Sequence, residues 1–261
     1  MSRIRVVARL VWLELLRSKD VYVLAVLLLA MLGALLGSDA FGLGGAARYV
    51  MDLGLFMTWL FSLVLAIRLT ARQLPGEEKS GTIYPLLAKP VRRGELVVGK
   101  WLGAWSGSAL ATSVFYAMTI LVVLLKGGSV GAVSLMQALL LHVSALAVVC
   151  ALAVLVSTRS SADAASSLTW VLIAASWLIV PQVPRLAAVS GAVSKAALMV
   201  VYYLLPHFEL FDMRTRVVHD WGPAPWVAAL GAVLYAALLA AAFLVFAWLA
   251  YRRKLFTRGA A

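Results

Sequence analysis

Long apolar runs alternate with short polar segments along the whole chain. Six runs approach the roughly 20 residues that an α-helix needs to cross a bilayer. They are Val21–Gly37, Val50–Ile67, Trp101–Leu125, Val133–Val156, Ala164–Val183 and Trp226–Ala250. A backbone inside lipid must satisfy its own hydrogen bonds, and none of the runs alternates with period two, so each run predicts a transmembrane helix. The pattern predicts an all-α integral membrane protein, with one domain of six spans over residues 1–261.

The first 20 residues predict a separate feature before the first span. Four apolar residues share one face at helical spacing: Ile4, Val7, Val11 and Leu15. This pattern is typical of an amphipathic helix that lies in the membrane interface. The alternative is a helical extension of the first span.

The composition agrees with a membrane location. Hydrophobic residues make up 64% of the chain and charged residues 13%, against about a half and a quarter in soluble domains. A net charge of +12 first suggests nucleic acid. Because the cations lie between apolar runs, they are better explained as orienting the chain in a membrane. We therefore expect a lipid bilayer, and no nucleic acid, as a partner.

Lys and Arg are distributed unevenly between the two sets of loops. With the N-terminus inside, 17 of the 23 lie on the cytoplasmic side and six lie outside. The positive-inside rule therefore predicts that both termini are cytoplasmic. Residues 76–100, between the second and third spans, then form a cytoplasmic segment, and residues 184–225 form a long outer loop.

The cytoplasmic segment contains more sequence features than a simple connection between two helices requires. Thr82 can cap a short helix, and the acidic residues Glu77 and Glu78 just before it favour the positive end of the helix dipole. An apolar patch lies on that helix, between two charged flanks. The segment therefore predicts a docking surface for a soluble partner. The residues expected to contact that partner are Glu77, Glu78, Gly81, Thr82, Ile83, Leu86, Leu87, Lys89, Pro90, Arg92, Arg93 and Glu95.

One stretch of this segment has part of the residue spacing of a nucleotide-binding phosphate loop. Gly94–Lys100 matches the phosphate-loop spacing as far as its lysine, but Trp101 follows where a Ser or Thr is needed to hold magnesium. No predicted strand precedes the stretch. The spans also lack a catalytic constellation that could support hydrolysis in the membrane. The sequence therefore predicts no enzyme and no nucleotide site in this chain.

Small residues mark the start of the third span. Gly99, Gly103 and Gly107 are spaced by four, which allows close contact between helices in lipid. Packing within the subunit and a seam between two copies both fit this spacing. Together with Lys100, these glycines form the predicted hinge between the cytoplasmic segment and the span.

Two groups of ionisable residues are further candidates. His142 lies well inside a predicted span, where ionisable groups are functional candidates by default; a hydrogen bond between helices is the alternative. The outer loop contains a second group: His207, Glu209, Asp212 and His219. Imidazole and carboxylate suit transition metals, but the spacing matches no known site. We interpret the group as solvated loop residues and predict no bound metal.

The pattern Glu-x-x-Ser-Gly-Thr-Ile-x-x-Leu-Leu-x-x-Pro-Val-x-Arg-x-Glu-Leu-x-x-Gly-Lys-x-x-Gly at residues 77–103 resembles a known family signature. It is similar to the segment between the second and third helices of ABC-2 type transporter permeases. The predicted topology fits that family along the whole chain, and Leu205–Glu209 resembles a weaker family feature. The residues of the signature are most similar to those of permeases such as the one that serves maturation of nitrous oxide reductase.

The resemblance implies an exporter-like transmembrane domain in the inner membrane of a prokaryote. Two permeases, either two copies or this chain and a paralogue, would form a dimer on two cytoplasmic ABC ATPase subunits. Residues 81–90 would be the coupling helix, seated in a groove of the ATPase. ATP and magnesium would be bound by that partner, and this chain would bind no cofactor. The alternative is a self-sufficient secondary transporter or channel, which would favour internal repeats and charges within the spans.

Overall fold

The computed structural model describes residues 3–17, 19–36, 46–80, 92–252 and 254, and all regular elements in these ranges are helical. The α-helices are α1 (Arg3–Arg17), α2 (Lys19–Leu36), α3 (Ala46–Ala71), α4 (Gln73–Ser80), α5 (Arg93–Leu125), α6 (Ala132–Ser157), α7 (Ala162–Ile179), α8 (Val183–Val189), α9 (Ala192–Leu204), α10 (Arg214–Val218) and α11 (Trp226–Arg252). Two 3₁₀ helices, Val180–Gln182 and Phe208–Phe211, lie between them. The all-α architecture predicted from the sequence is confirmed.

Five helical stretches in the described ranges are long and apolar enough to cross a bilayer: Ala47–Lys79, Arg93–Leu125, Ala132–Ser157, Ala162–Val189 and Trp226–Arg252. A sixth is added if the bent pair Ala192–Tyr203 and Phe208–Val218 counts as one span. The predicted first span falls in α2, where the apolar stretch Val21–Ala34 is shorter, and its predicted end at Gly37 lies outside the described residues. The number of six spans and the location of the termini stay predictions.

Helix α6 is the most buried of these long helices and packs against α3, α5, α7 and α11. Its neighbour α11 presents a column of small side chains: Ala229, Ala232, Ala236, Ala240 and Ala247. Small residues let two helix backbones approach closely, so van der Waals packing can hold them together within lipid. The opposite face of α11 stays exposed and apolar, for example at Val227 and Leu238.

The N-terminal residues form a helix of their own, as the apolar spacing predicts. Helix α1 packs along the first half of α5 and runs in the same direction, because Val7, Val11 and Leu15 lie successively further along α5. These three residues are buried there. The interfacial location of α1 in a membrane stays a prediction.

Helix α5 begins at Arg93 and not at Trp101, so the predicted hinge is an uninterrupted part of a helix. Its start is stabilised by Glu95, whose carboxylate accepts a hydrogen bond from the backbone N–H of Arg92 at 2.8 Å. This contact is the reverse half of a capping box. A helix of 33 residues is about 50 Å long, which exceeds the roughly 30 Å hydrocarbon core. We therefore expect the first turns of α5 to project from the membrane.

Candidate functional site

Part of the predicted docking surface lies outside the residues that the structure describes. This part comprises Gly81, Thr82, Ile83, Leu86, Leu87, Lys89 and Pro90. The described members lie on α4 or at the start of α5, on either side of that stretch: Glu77, Glu78, Arg92, Arg93 and Glu95. All five contact other groups of the same chain. The described segments on either side of residues 81–90 are therefore attached to the bundle.

The first attachment is a buried ion pair between α4 and α5. Nζ of Lys100 donates to Oε1 of Glu77 at 2.7 Å. The Lys100 side chain is only 5% exposed and that of Glu77 is 24% exposed. A charge so far removed from water needs its partner, because desolvation is costly. Lys100, which occupies the lysine position of the phosphate-loop spacing, thus lies on a helix and pairs with a carboxylate.

The second attachment joins α4 to the end of α11. Nζ of Lys254 donates to both carboxylate oxygens of Glu78, at 2.9 and 2.7 Å. It also donates to the carbonyl oxygen of Thr158 at 3.0 Å. Thr158 lies in the turn between α6 and α7. Because an ammonium group has three donors, one lysine joins three parts of the bundle.

The third attachment holds the start of α5 against the end of α11. Nη1 of Arg93 donates to three carbonyl oxygens at 3.1, 2.8 and 3.0 Å, those of Tyr251, Arg252 and Lys254. Carbonyls at a helix C-terminus lack partners within the helix, and a cation there is favourable for the helix dipole. Arg159 adds a contact from the α6–α7 turn, since its Nη2 donates to the carbonyl of Ala250 at 3.3 Å.

Next to these charges lies an apolar cluster distinct from the main core. Its members come from α1, α4, α5, α6 and α11: Val7, Leu74, Leu96, Val97, Val154, Ala247 and Tyr251. Tyr251 is fully buried and lies within electrostatic range of Glu77, Glu78 and Arg93. The three charged attachments thus lie beside a packed apolar cluster at this end of the bundle.

The three glycines of α5 provide the surface on which α1 lies. A Cβ atom at Gly103 would come within 2.6 Å of the Val11 Cβ and 2.9 Å of the Ala8 carbonyl oxygen. Gly99 and Gly107 would meet Val7 and Leu15 at 2.7 Å. These distances leave no room for a side chain. The glycine face is therefore used within the subunit, against α1.

His142 connects three helices inside the bundle. Its ring stacks on Trp59 with centroids 4.6 Å apart, and its Nε2 lies 2.7 Å from Oγ of Ser62. Ser62 donates its own proton to the carbonyl of Trp59, so Nε2 of His142 is the donor to Ser62. In the neutral ring Nδ1 then accepts from the hydroxyl of Tyr116 at 3.3 Å. The geometry is that of a hydrogen-bonded contact between α3, α5 and α6.

The outer-loop group does not come together around a common point. In the part of the chain that the structure describes, no three or more His, Cys, Asp or Glu residues are placed to hold a metal ion. His207 contacts the hydroxyl of Tyr235. Asp212 accepts from the backbone N–H of Arg214 at 2.9 Å. Glu209 and His219 lie elsewhere in the loop, and His219 is exposed.

An apolar cavity of about 150 Å³ lies between α3 and α7, beside residues of the outer loop. Three indole rings contribute to its wall, from Trp59, Trp170 and Trp177. Arg214 also lines it and lies 3.4 Å from a carboxylate oxygen of Asp52. An engineered apolar cavity of about 150 Å³ holds benzene. The lining favours an apolar group over an ion.

A family model described as "ABC-2 family transporter protein" matches residues 6–258, which is almost the whole chain. The chain belongs to the ABC-2 transporter family. An ABC-2 permease is a multi-pass membrane protein and a transport component, and it is not a catalytic enzyme by itself. Such permeases generally work with ABC ATPase subunits. No curated protein matches this permease.

Some permease residues that contact the segments on either side of residues 81–90 could not be identified from the sequence. Lys254 and Thr158 are the clearest examples. Lys254 is one of several cations after the last span, and nothing in its spacing points to Glu78, which is 176 residues away. A resemblance to the family signature also gives no indication, because the signature ends before these residues.

The hydrogen bonds of His142 yield a prediction for the stability of the permease. His142→Phe keeps an aromatic ring beside Trp59 but removes both polar contacts. We expect a loss of about 1–3 kcal/mol, because the hydroxyls of Ser62 and Tyr116 lose their ring partner inside the bundle. Thermal unfolding in detergent measures this effect, with His142→Gln as the variant that retains a donor and an acceptor. Equal stability of the Phe variant and the parent would show that these contacts contribute little.

Proposed function

We propose that this chain is the permease subunit of an ATP-driven exporter in the inner membrane of a prokaryote. It acts as a dimer with a second copy or a paralogue, on two cytoplasmic ABC ATPase subunits. ATP and magnesium are bound by those subunits. The family match supports the transport role, and the excess of Lys and Arg in alternate loops supports the orientation.

One observation carries the proposal: the described segments on either side of the predicted coupling helix are attached to the bundle. The Glu77–Lys100 pair holds α4, and the Arg93 contacts hold the start of α5. Residues 81–90, between these attachments, contain the apolar residues Ile83, Leu86 and Leu87. An apolar patch between two segments that are held by the bundle suits the transfer of motion from a soluble partner. Contacts that differ between the two ATPase states then shift the conformation of the permease.

The contacts also divide the predicted docking residues into two groups. Glu77, Glu78 and Arg93 are engaged with other parts of the chain, so they act by holding the coupling helix in place. The surface that touches the ATPase is then centred on residues 81–90. The broader contact surface expected from the sequence stays a prediction, and this proposal narrows it to residues 81–90.

The proposal predicts that an acidic residue on the apolar patch separates the permease from its ATPase. The chain, carrying an affinity tag, is purified from its own host membranes in mild detergent, and vanadate-sensitive ATP hydrolysis is measured in the eluate. With Leu86→Asp we expect most of this hydrolysis to be lost, because a carboxylate cannot be buried in an apolar groove without a large cost.

Lys79→Ala is the matched control, since Lys79 is exposed on α4 beside the same segment. It should keep the hydrolysis of the parent. Hydrolysis retained in full by Leu86→Asp would refute docking through the apolar patch. Absence of hydrolysis from the parent eluate would refute the ATPase partnership itself.

A further inference from the structure

We propose that the Glu78–Lys254 ion pair transmits movement of the coupling helix to α11 and to the turn between α6 and α7. This inference rests on the proposed function. Glu78 and Lys254 are positioning residues in this account, because they act through the helices that they join. The last span is thereby included in the ATP-driven change, in addition to the spans that directly flank the coupling helix.

The adjacent acidic residues of α4 hold different helices. Glu77 is bound to Lys100 on α5, and Glu78 is bound to Lys254 beyond the end of α11. A shift or rotation of α4 therefore acts on two parts of the bundle at once. Because α4 ends immediately before residues 81–90, we expect a displacement of the coupling helix to act on these two carboxylates.

Residues on either side of the coupling helix contact the same residue. Glu78, which precedes it, binds the side chain of Lys254, and Arg93, which follows it, binds the main-chain carbonyl of Lys254. The end of α11 is thus held from both sides. Movement of either end of the coupling helix changes a contact to Lys254.

The ammonium group of Lys254 is well fixed for this role. Three acceptor atoms match its three donors, two from Glu78 and one from Thr158. The side chains of Lys254 and Glu78 are 24% and 22% exposed. Partial burial reduces screening by solvent and salt, so the pair is less labile than an exposed surface pair.

Side-chain packing does not fill the space between α4 and the α6–α7 turn. A polar cavity of about 450 Å³ lies there, lined by residues such as Gly76, Lys79 and Ser160 as well as by the ion pair. Leu74 of α4 packs in the apolar cluster with residues of α6 and α11, whereas across the cavity itself the connection is made by Glu78, Lys254 and the Thr158 carbonyl. Removal of the charge at Lys254 is thus expected to weaken the coupling of α4 to the turn and to the end of α11.

The test measures the motion of α11 in the intact complex. Spin labels are placed on Arg68→Cys and Val245→Cys, exposed positions on α3 and α11, in a Cys150→Ala background. The complex with the co-purifying ATPase is reconstituted in lipid nanodiscs, and the distance between the labels is measured without nucleotide and with ATP and vanadate. The variants are Lys254→Glu, Glu78→Lys, the double exchange and the uncharged Lys254→Met.

We expect a nucleotide-dependent change of distance in the parent. Lys254→Glu, Glu78→Lys and Lys254→Met lose most of this change, and in the two Lys254 variants the amount of co-purified ATPase stays the same. The double exchange restores a large part of it, because the opposite charges again face each other. Glu14→Lys is the control, since Glu14 pairs with Arg72 at 3.6 Å between α1 and the α3–α4 turn, away from α11; it keeps the full change.

Three outcomes would overturn the inference while leaving the proposed function intact. They are a full distance change in Lys254→Met, failure of the double exchange to restore what both single exchanges lose, and an equal loss in Glu14→Lys. An unchanged distance with ATP and vanadate in the parent would likewise overturn this inference alone. A parent that brings no ATPase with it would overturn the proposed function and this inference together.

Discussion

Gly103→Leu is expected to displace α1 from α5 and to destabilise the protein strongly. The position has no room even for a Cβ atom, which would lie 2.6 Å from the Val11 Cβ and 2.9 Å from the Ala8 carbonyl oxygen. Overpacking a close contact costs about 1–3 kcal/mol, and more when backbone must move. Because the second atom belongs to the backbone of α1, we expect a value at or above the upper end. Thermal unfolding in detergent and the rate of tryptic cleavage within α1 measure the two consequences.

Gly231→Leu is the matched control for this change. Gly231 lies in α11, and a Cβ atom there meets nothing within 4 Å. Because Leu has a higher helix propensity than Gly, the control should be neutral or slightly stabilising. If Gly103→Leu unfolds at the temperature of the parent and leaves α1 equally resistant to trypsin, the close packing of α1 on α5 is wrong.

The second large effect is expected at Lys100. Lys100→Met keeps the length of the side chain but leaves the carboxylate of Glu77 without the ammonium group that lies 2.7 Å away. Breaking a buried ion pair by removing one partner costs about 3–5 kcal/mol. Since Glu77 is one quarter exposed, we expect the lower part of this range. Thermal unfolding of Lys100→Met, compared with the double variant Lys100→Met/Glu77→Gln, measures the effect.

The double variant should be more stable than the single one, because residue 77 then carries no charge that has lost the ammonium group of Lys100. Arg3→Met is the control, since Arg3 faces Glu95 at 3.8 Å with half of its side chain exposed. Exposed pairs contribute about 0–1 kcal/mol. Equal losses in Lys100→Met and Arg3→Met would contradict the claim that burial makes the Lys100–Glu77 pair costly to break.

The helices could be predicted from the sequence because their signal is local. A run of about 20 apolar residues has few alternatives to a membrane helix, and the runs around Ala145 and Ala236 lie in α6 and α11. The boundaries of the helices depend on contacts of charged residues, and the apolar runs do not reveal these contacts. Helix α5 starts at Arg93 because Glu95 caps it and because Lys100 is neutralised by Glu77, and neither contact changes the apolar pattern.

The cytoplasmic location of the coupling segment stays a prediction, and the partners of its charged residues could not be predicted from the sequence. A charge run between two spans identifies a cytoplasmic segment by the positive-inside rule. The rule treats every charge alike, so it could not show that Glu78 faces Lys254 and that Arg93 faces the end of α11. The spacing of Gly99, Gly103 and Gly107 likewise predicted close packing but not that α1 would be the partner.

The central claim is that residues 81–90 touch a separate ATPase, and cross-linking at Tyr84 tests it most directly. The photoreactive residue p-benzoylphenylalanine replaces Tyr84 in the full chain, and in a parallel sample it replaces Tyr203, which is 79% exposed in the predicted outer loop. After irradiation of cells, we predict a cross-link from position 84 to an ATP-binding protein, with a yield that changes when ATP is depleted, and none from position 203. Cross-links from position 84 only to lipid or to this chain, or the same products from both positions, would contradict the account.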